Sequence, residues 1–142
     1  MAALPDKMSD LLALAARDLR AVEEDSAYRV DMSDWHFPDP YTGQCEVCMA
    51  GAVLAVTVGV DPQEEFVPDT MTLDLHKKML AINSLRMGNV HKASFTLRGT
   101  ETAREAARLA DLDRGMSDYH IDREAFFADV EKLIQDLRQA GL

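Results

Sequence analysis

Asp34-Trp35-His36-Phe37-Pro38-Asp39-Pro40-Tyr41-Thr42-Gly43-Gln44-Cys45-Glu46-Val47-Cys48 runs without a break into Met49-Ala50-Gly51-Ala52-Val53-Leu54-Ala55-Val56-Thr57-Val58-Gly59. How this stretch divides between loop, strand and helix decides the fold class. Pro38 and Pro40 bias Phe37 and Asp39 towards extended backbone, and Tyr41-Thr42-Gly43 has the composition of a turn. From a start between Thr42 and Cys45, apolar residues go almost all the way round a helix that reaches Val58, with Gly59 placed as its C-terminal cap. Val56, Val58 and Val60 would also suit a strand, but Ala50, Gly51, Ala52 and Ala55 favour close helix packing. The reading is a buried central helix over about 45–58, preceded by an irregular proline-containing loop over about 28–43.

On the N-terminal side, Met8, Leu11, Leu12, Ala15, Leu19 and Val22 fall on one helical stripe, with Asp10, Arg17, Asp18 and Glu24 off it. Pro5 and Asp6 suit its start, and Ser9 is an alternative cap. Glu23-Glu24-Asp25 opposes the helix dipole at its end, which must fray or be held by tertiary contacts. Tyr28 to Met32 alternates like a strand but has no clear partner, so it reads as an extended connection. On the C-terminal side, Asp61-Pro62-Gln63-Glu64 resembles a helix cap and an acidic first turn. A helix from Thr70 or Thr72 to Met87 is closed by Gly88-Asn89, while His91 to Arg98 is ambiguous. Thr100 caps an expected helix over 101–112. The last helix begins at Asp122, carries Phe126, Phe127, Val130, Leu133, Ile134 and Leu137 on one face, and stops before Gly141. The expected fold class is all-α: a compact single-domain bundle of about five helices spanning residues 1–142.

At 142 residues, 47% hydrophobic and 28% charged, the chain can bury a core without disulfide staples. Met1 to Asp6 lacks the pattern of a secretory signal, and Val47 to Val60 is too short to span a bilayer, so the expected location is cytoplasmic. The net charge of -10 argues against direct nucleic-acid binding. Its distribution is uneven. Residues 1–74 carry 15 acids and four bases, residues 75–100 five bases and no acid, and residues 101–142 ten acids and six bases. Val30 to His76 holds nine acids and no lysine or arginine. Either the basic block neutralises the acidic one, within the chain or across a homodimer, or the acidic surface receives a basic protein partner, such as one that normally holds nucleic acid.

Cys45 and Cys48 form a C-x-x-C with three readings. As a zinc half-site it needs two more ligands, and only His36 is near in sequence. As a redox pair it lacks a basic neighbour, and Glu46 pushes the thiol pKa up. As packing, two cysteines three apart share a helix face that continues into Ala52 and Ala55. Packing is the favoured reading. Trp35 and Phe37 are expected to fold back over the helix end, with His36 as an exposed or hydrogen-bonding bystander. Trp35 is also the candidate anchor of a binding surface with Asp31, Asp34, Asp39, Glu64 and Glu65. His76, Lys77 and Lys78 with Arg86 and Lys92 have the charge to bind an anion, but the favoured reading is a basic outer face of the third helix.

Trp35-His36 followed by Cys45 to Ala55, and then Leu80-Ala81-Ile82-Asn83-Ser84-Leu85-Arg86-Met87-Gly88, is similar to small proteins encoded by bacteriophages and prophages, over roughly residues 34–90. The resemblance implies no reaction and no catalytic residue. It implies an accessory protein that meets a host or phage protein, a role with which acidic DNA mimicry is compatible. The functional expectation is therefore a non-enzymatic, acidic protein-binding domain with no resident cofactor. The alternatives are a metal- or thiol-dependent enzyme or sensor centred on Cys45 and Cys48, and a structural subunit of a larger assembly.

Overall fold

The computed structural model describes residues 3–66 and 71–142. Helix α1 spans Met8–Glu23, and its stripe is buried as its spacing requires. Its start differs from both expectations. Lys7 occupies the cap position without a side-chain bond, and the Ser9 N–H is satisfied by the carbonyl of Leu142 (3.2 Å). The unfavourable acidic end is held by tertiary contacts. Glu23 accepts from Arg123 Nε and Nη2 (2.6 and 2.7 Å) and from the Tyr119 hydroxyl (2.6 Å). Asp18, expected off the apolar face, is fully buried, where the Thr57 hydroxyl donates to it (2.5 Å) and Arg17 bonds its other oxygen.

The next segments overturn the all-α expectation. Strands β1 (Tyr28–Val30), β2 (His36–Pro38) and β3 (Cys45–Val47) form a mixed sheet in the order β1-β3-β2. The partner that Tyr28 to Val30 lacks locally is β3, paired parallel to it with Arg29 opposite Glu46. Strand β2 pairs antiparallel with β3, with His36 opposite Val47 and Phe37 opposite Glu46. The connection between them is the expected turn: Asp39 Oδ1 accepts the Tyr41 N–H (2.8 Å), and Gly43 closes it at φ +73. Alternation puts His36, Cys45 and Val47 on the buried face, and Arg29, Phe37 and Glu46 on the other.

The central helix exists, but it is shorter than the 45–58 reading. Helix α2 spans Met49–Val53 and widens into a π-helical turn over Leu54–Val58, closed by Gly59 in the left-handed conformation. Residues 45–47 extend because their backbone groups pair across the sheet, and Cys48 is the N-cap, its sulfur accepting from Gly51 N–H (3.4 Å). The π-turn carries Thr57 to Asp18, so an irregular turn coincides with a buried polar tie. Asp61 to Glu64 forms a turn rather than a helix start, with Glu64 N–H bonded to Asp61 O.

Helix α3 (Leu73–Arg86) is capped by Thr72, whereas the alternative start at Thr70 lies outside the described residues. Helix α4 (Val90–Arg98) resolves the ambiguous segment, and α5 (Ala103–Ala110) is capped by Thr102, not Thr100. Helix α6 (Arg123–Gln139) matches its expected cap and face. The described residues thus hold six α-helices and a three-stranded sheet. Helix α2 lies between α1 and α3, α6 packs on α1, and α4 joins α3 to α5.

Gly51 has the tightest constraint. A Cβ there would stand 1.5 Å from the Trp35 carbonyl oxygen and 3.1 Å from Val47 Cβ. The obstacle is backbone and cannot rotate away. Gly51→Ala is therefore expected to cost about 3 kcal/mol or more, measured as a fall in the urea midpoint at unchanged slope. A midpoint within experimental error of the parent would refute this packing.

Candidate functional site

The β2–β3 hairpin brings two residues nine apart in sequence into contact. His36 Nδ1 lies 3.6 Å from Cys45 Sγ, both side chains buried against the core. His36 is thus no exposed bystander. Burial holds its pKa below the ordinary histidine value, and its Nε2 is buried without a hydrogen-bond partner. Burial also pushes the Cys45 thiol up to about 11, with a smaller push from Glu46. The Cys48 thiol is raised by burial as well, although nearby N–H groups and Arg86 pull the other way.

The two cysteines do not share a helix face. Cys45 sits on a strand, while Cys48 begins α2 and turns its sulfur to Gly51 N–H and to Asn83 Oδ1 (3.7 Å). Among the described residues, the one group of three histidine, cysteine or carboxylate ligand atoms lying within 4.8 Å of one another is Asp31, Asp34 and Glu46. Cys45, Cys48 and His36 do not make such a group.

The acidic trio sits beside the outer face of the sheet. Arg29, next to Glu46 on that face, places Nη2 3.0 Å from Glu46 Oε1 and 3.7 Å from Asp31 Oδ2. The Asp34 carboxyl beside it, followed by burial, pushes the Glu46 pKa up despite Arg29. Asp31 moves down, chiefly through the Ser33 N–H that its carboxylate accepts. The set has the oxygen chemistry of a hard-cation site. A guanidinium already stands against two of its members.

The remaining candidates fall around the same sheet. Asp39 is half-buried and organises the hairpin, while Glu64 and Glu65 are exposed. Their segment lies beside β2, where Phe66 N–H approaches His36 O (3.5 Å). Trp35 is half-buried, its backbone against Gly51 and its ring edge-on to His76 at 6.0 Å between centroids. Its carbonyl, rather than its ring, meets the first turn of α2, so the expected cover by the side chain is not what these contacts describe. Phe37 does not cover the helix start either, because strand alternation turns it outward. The residue missed by sequence reasoning is Tyr41, which is 96% exposed at the hairpin tip. Its signal was available: Asp39 and Gly43 bracket it in a turn that projects position 41.

The basic block is not one outer face. Lys78 is buried, donating to Leu4 O (2.9 Å) and pairing with Asp6 and Asp74. No ion pair among the described residues joins Lys77, Lys78, Arg86, Lys92 or Arg98 to an acid of the 31–66 segment. No described helix is long and apolar enough to cross a membrane. Comparison with known proteins returned no match, whether to a family model, a curated protein or a solved structure.

Both thiols are expected to resist a disulfide reagent at pH 8 in the folded chain and to react fully in denaturant. Cys45 has its folded pKa raised, so its contribution to stability is complete below pH 9 and fades as pH rises through about 11. Rapid native-state labelling of either thiol would contradict this burial.

Proposed function

We propose that the chain is a non-enzymatic protein-binding domain whose docking surface is the outer face of the sheet with the 39–44 hairpin, and whose partner is basic. The observation that carries the reading is Tyr41. An almost fully exposed aromatic ring at the tip of a hydrogen-bonded hairpin is a rigid anchor, ordered at little entropic cost on binding. Phe37 adds exposed apolar surface on the sheet. Around them stand Asp39, Glu64 and Glu65, which make no ion pair among the described residues, and the Asp31, Asp34 and Glu46 trio, in which Glu46 is buried and one arginine offsets the charge.

This combination of an aromatic anchor and a single-sign rim favours steering and register for a positively charged partner. The groups with chemical capacity support binding over catalysis. Both thiols are buried and held protonated, and the histidine beside Cys45 is walled in. The thiol and zinc alternatives are not taken up, because Cys48 turns away from the Cys45–His36 pair to cap a helix. The binding role rests on this surface alone, and the resemblance to phage and prophage proteins adds nothing to it.

A photo-crosslinking amino acid at position 41 tests the surface in cell extract. The expected result is a discrete adduct with a basic protein, competed by unlabelled chain and lost near 1 M salt, where the screening length is about 3 Å. With that protein purified, Tyr41→Ala should weaken binding by about thirtyfold, the size of an interface hot spot. Reversing Asp31, Asp34 and Asp39 to lysine should remove the salt dependence. Affinity indifferent to both changes would defeat the proposal.

A further inference from the structure

Helix α3 ends on Arg86, one of whose guanidinium N–H groups is left without an acceptor. Its Nε is buried without a hydrogen-bond partner, and no recorded ion pair among the described residues includes it. The other bases of this block that reach the interior or a neighbouring helix are satisfied, Lys78 by Asp6 and Asp74 and Arg98 by Glu105. Arg86 is half-buried, so the orphan is this one N–H and not the whole charge, and a buried donor without an acceptor calls for an account.

Arg86 lines a cleft of about 380 Å³ between the 32–33 segment and the 116–120 segment. The other polar groups there are engaged. The Tyr119 hydroxyl donates to Glu23, and His120 Nε2 accepts the Met32 N–H (3.2 Å). That bond requires the uncharged imidazole, with its proton on Nδ1. The Ser33 and Ser117 N–H groups are given to Asp31 and Asp129 (2.9 and 2.8 Å). Asp118 accepts the His120 N–H at the exposed rim (2.8 Å). Arg86 is left as the uncommitted charge. Met32, Met87 and Met116 supply the adaptable apolar part of a lining that is otherwise largely polar, with Met87 59% exposed.

We propose that this cleft binds a carboxylate carried on an apolar body, with Arg86 as its two-pronged donor and the methionines enclosing the hydrocarbon. The volume falls within the range of small-ligand sites. A planar guanidinium matches a carboxylate through two parallel hydrogen bonds. One cation, with Asp118 at the rim and Asp31 behind His120, favours a single negative charge over a phosphate dianion.

The test uses the full chain labelled with ¹³C at its methionine methyls, titrated with hexanoate, hexanol, inorganic phosphate and N-acetyl-Leu-Leu. Saturable shifts of the Met32, Met87 and Met116 methyls with hexanoate, and none with hexanol, are expected. Arg86→Gln should weaken hexanoate binding by about tenfold or more, the scale of a lost charged hydrogen bond. Met87→Glu alters an exposed position, so it keeps the fold while placing a rival carboxylate beside Arg86, and it should abolish binding. Whichever of hexanoate and the acetylated dipeptide saturates first assigns the acid to a free metabolite-like molecule or to a peptide terminus, and either supports the site. No saturable shift with either acid, an equal response to hexanol, tighter binding of phosphate, or parental hexanoate binding by Met87→Glu would overturn it.

Discussion

The fold turns on one close approach: the Trp35 backbone lies where Gly51 has no side chain, and one step away the Cys48 N–H bonds the Asp34 carbonyl at 2.6 Å. These contacts fasten the chain before β2 to the first turn of α2. The same segment is tied to β3 by the Asp31 N–H on Val47 O (2.9 Å) and to the C-terminal half by the Met32 N–H on His120. The sheet is too small to stand alone, since three-residue strands bury little surface. It persists because its inner face (His36, Cys45, Val47) joins the core that α1, α2 and α3 enclose.

That dependence explains what the sequence could and could not disclose. Helices α1, α3 and α6 were legible because each repeats its apolar residues over three or more turns, and α3 and α6 also carry local boundary signals, the caps Thr72 and Asp122 and the stop at Gly88. The strands were not. Three residues hold barely one period of alternation, and β1 is defined only by β3, seventeen residues on. The Ala-Gly-Ala run does mark close packing, with α1 and α3 flanking α2, but what requires the glycine itself is a loop carbonyl. Helix α4 looked ambiguous for a similar reason. Its first N–H groups are satisfied by Asp113, more than twenty residues downstream, which also meets the His91 ring. Asp18 and Lys78 were assigned to the surface by residue type, and only the fold supplies Thr57 and Leu4 O as their partners.

At the candidate site the acids were legible in outline, as a long stretch without a base. The hairpin was legible only as a turn, and its consequences came from geometry. Alternation turns Glu46 and Phe37 to the outer face of the sheet, where Glu46 is still covered, and His36 to the inner one, which separates the acidic trio from the thiols that adjoin it in sequence. Arg29, counted as the last base before the acidic run, proves to be its internal counter-charge. Chemistry and charge therefore occupy opposite faces of one small sheet.

This separation bears on how the acidic face and the Arg86 cleft would act together. Both are built on the 31–35 segment: Asp31 and Asp34 belong to the acidic trio, while Met32 and Ser33 line the cleft. The segment is hydrogen-bonded at Asp31, Met32 and Asp34. Occupation of one side therefore reaches the other mainly through the field and little through movement. Arg86, which makes no ion pair among the described residues, offsets part of the negative potential nearby. A carboxylate bound to it cancels that offset and leaves the acidic face more negative. On the proposed reading, the two sites are then linked with a definite sign, each ligand favouring the other, because the coupling between two sites is reciprocal. A basic partner and a small acid would bind together more readily than either would alone.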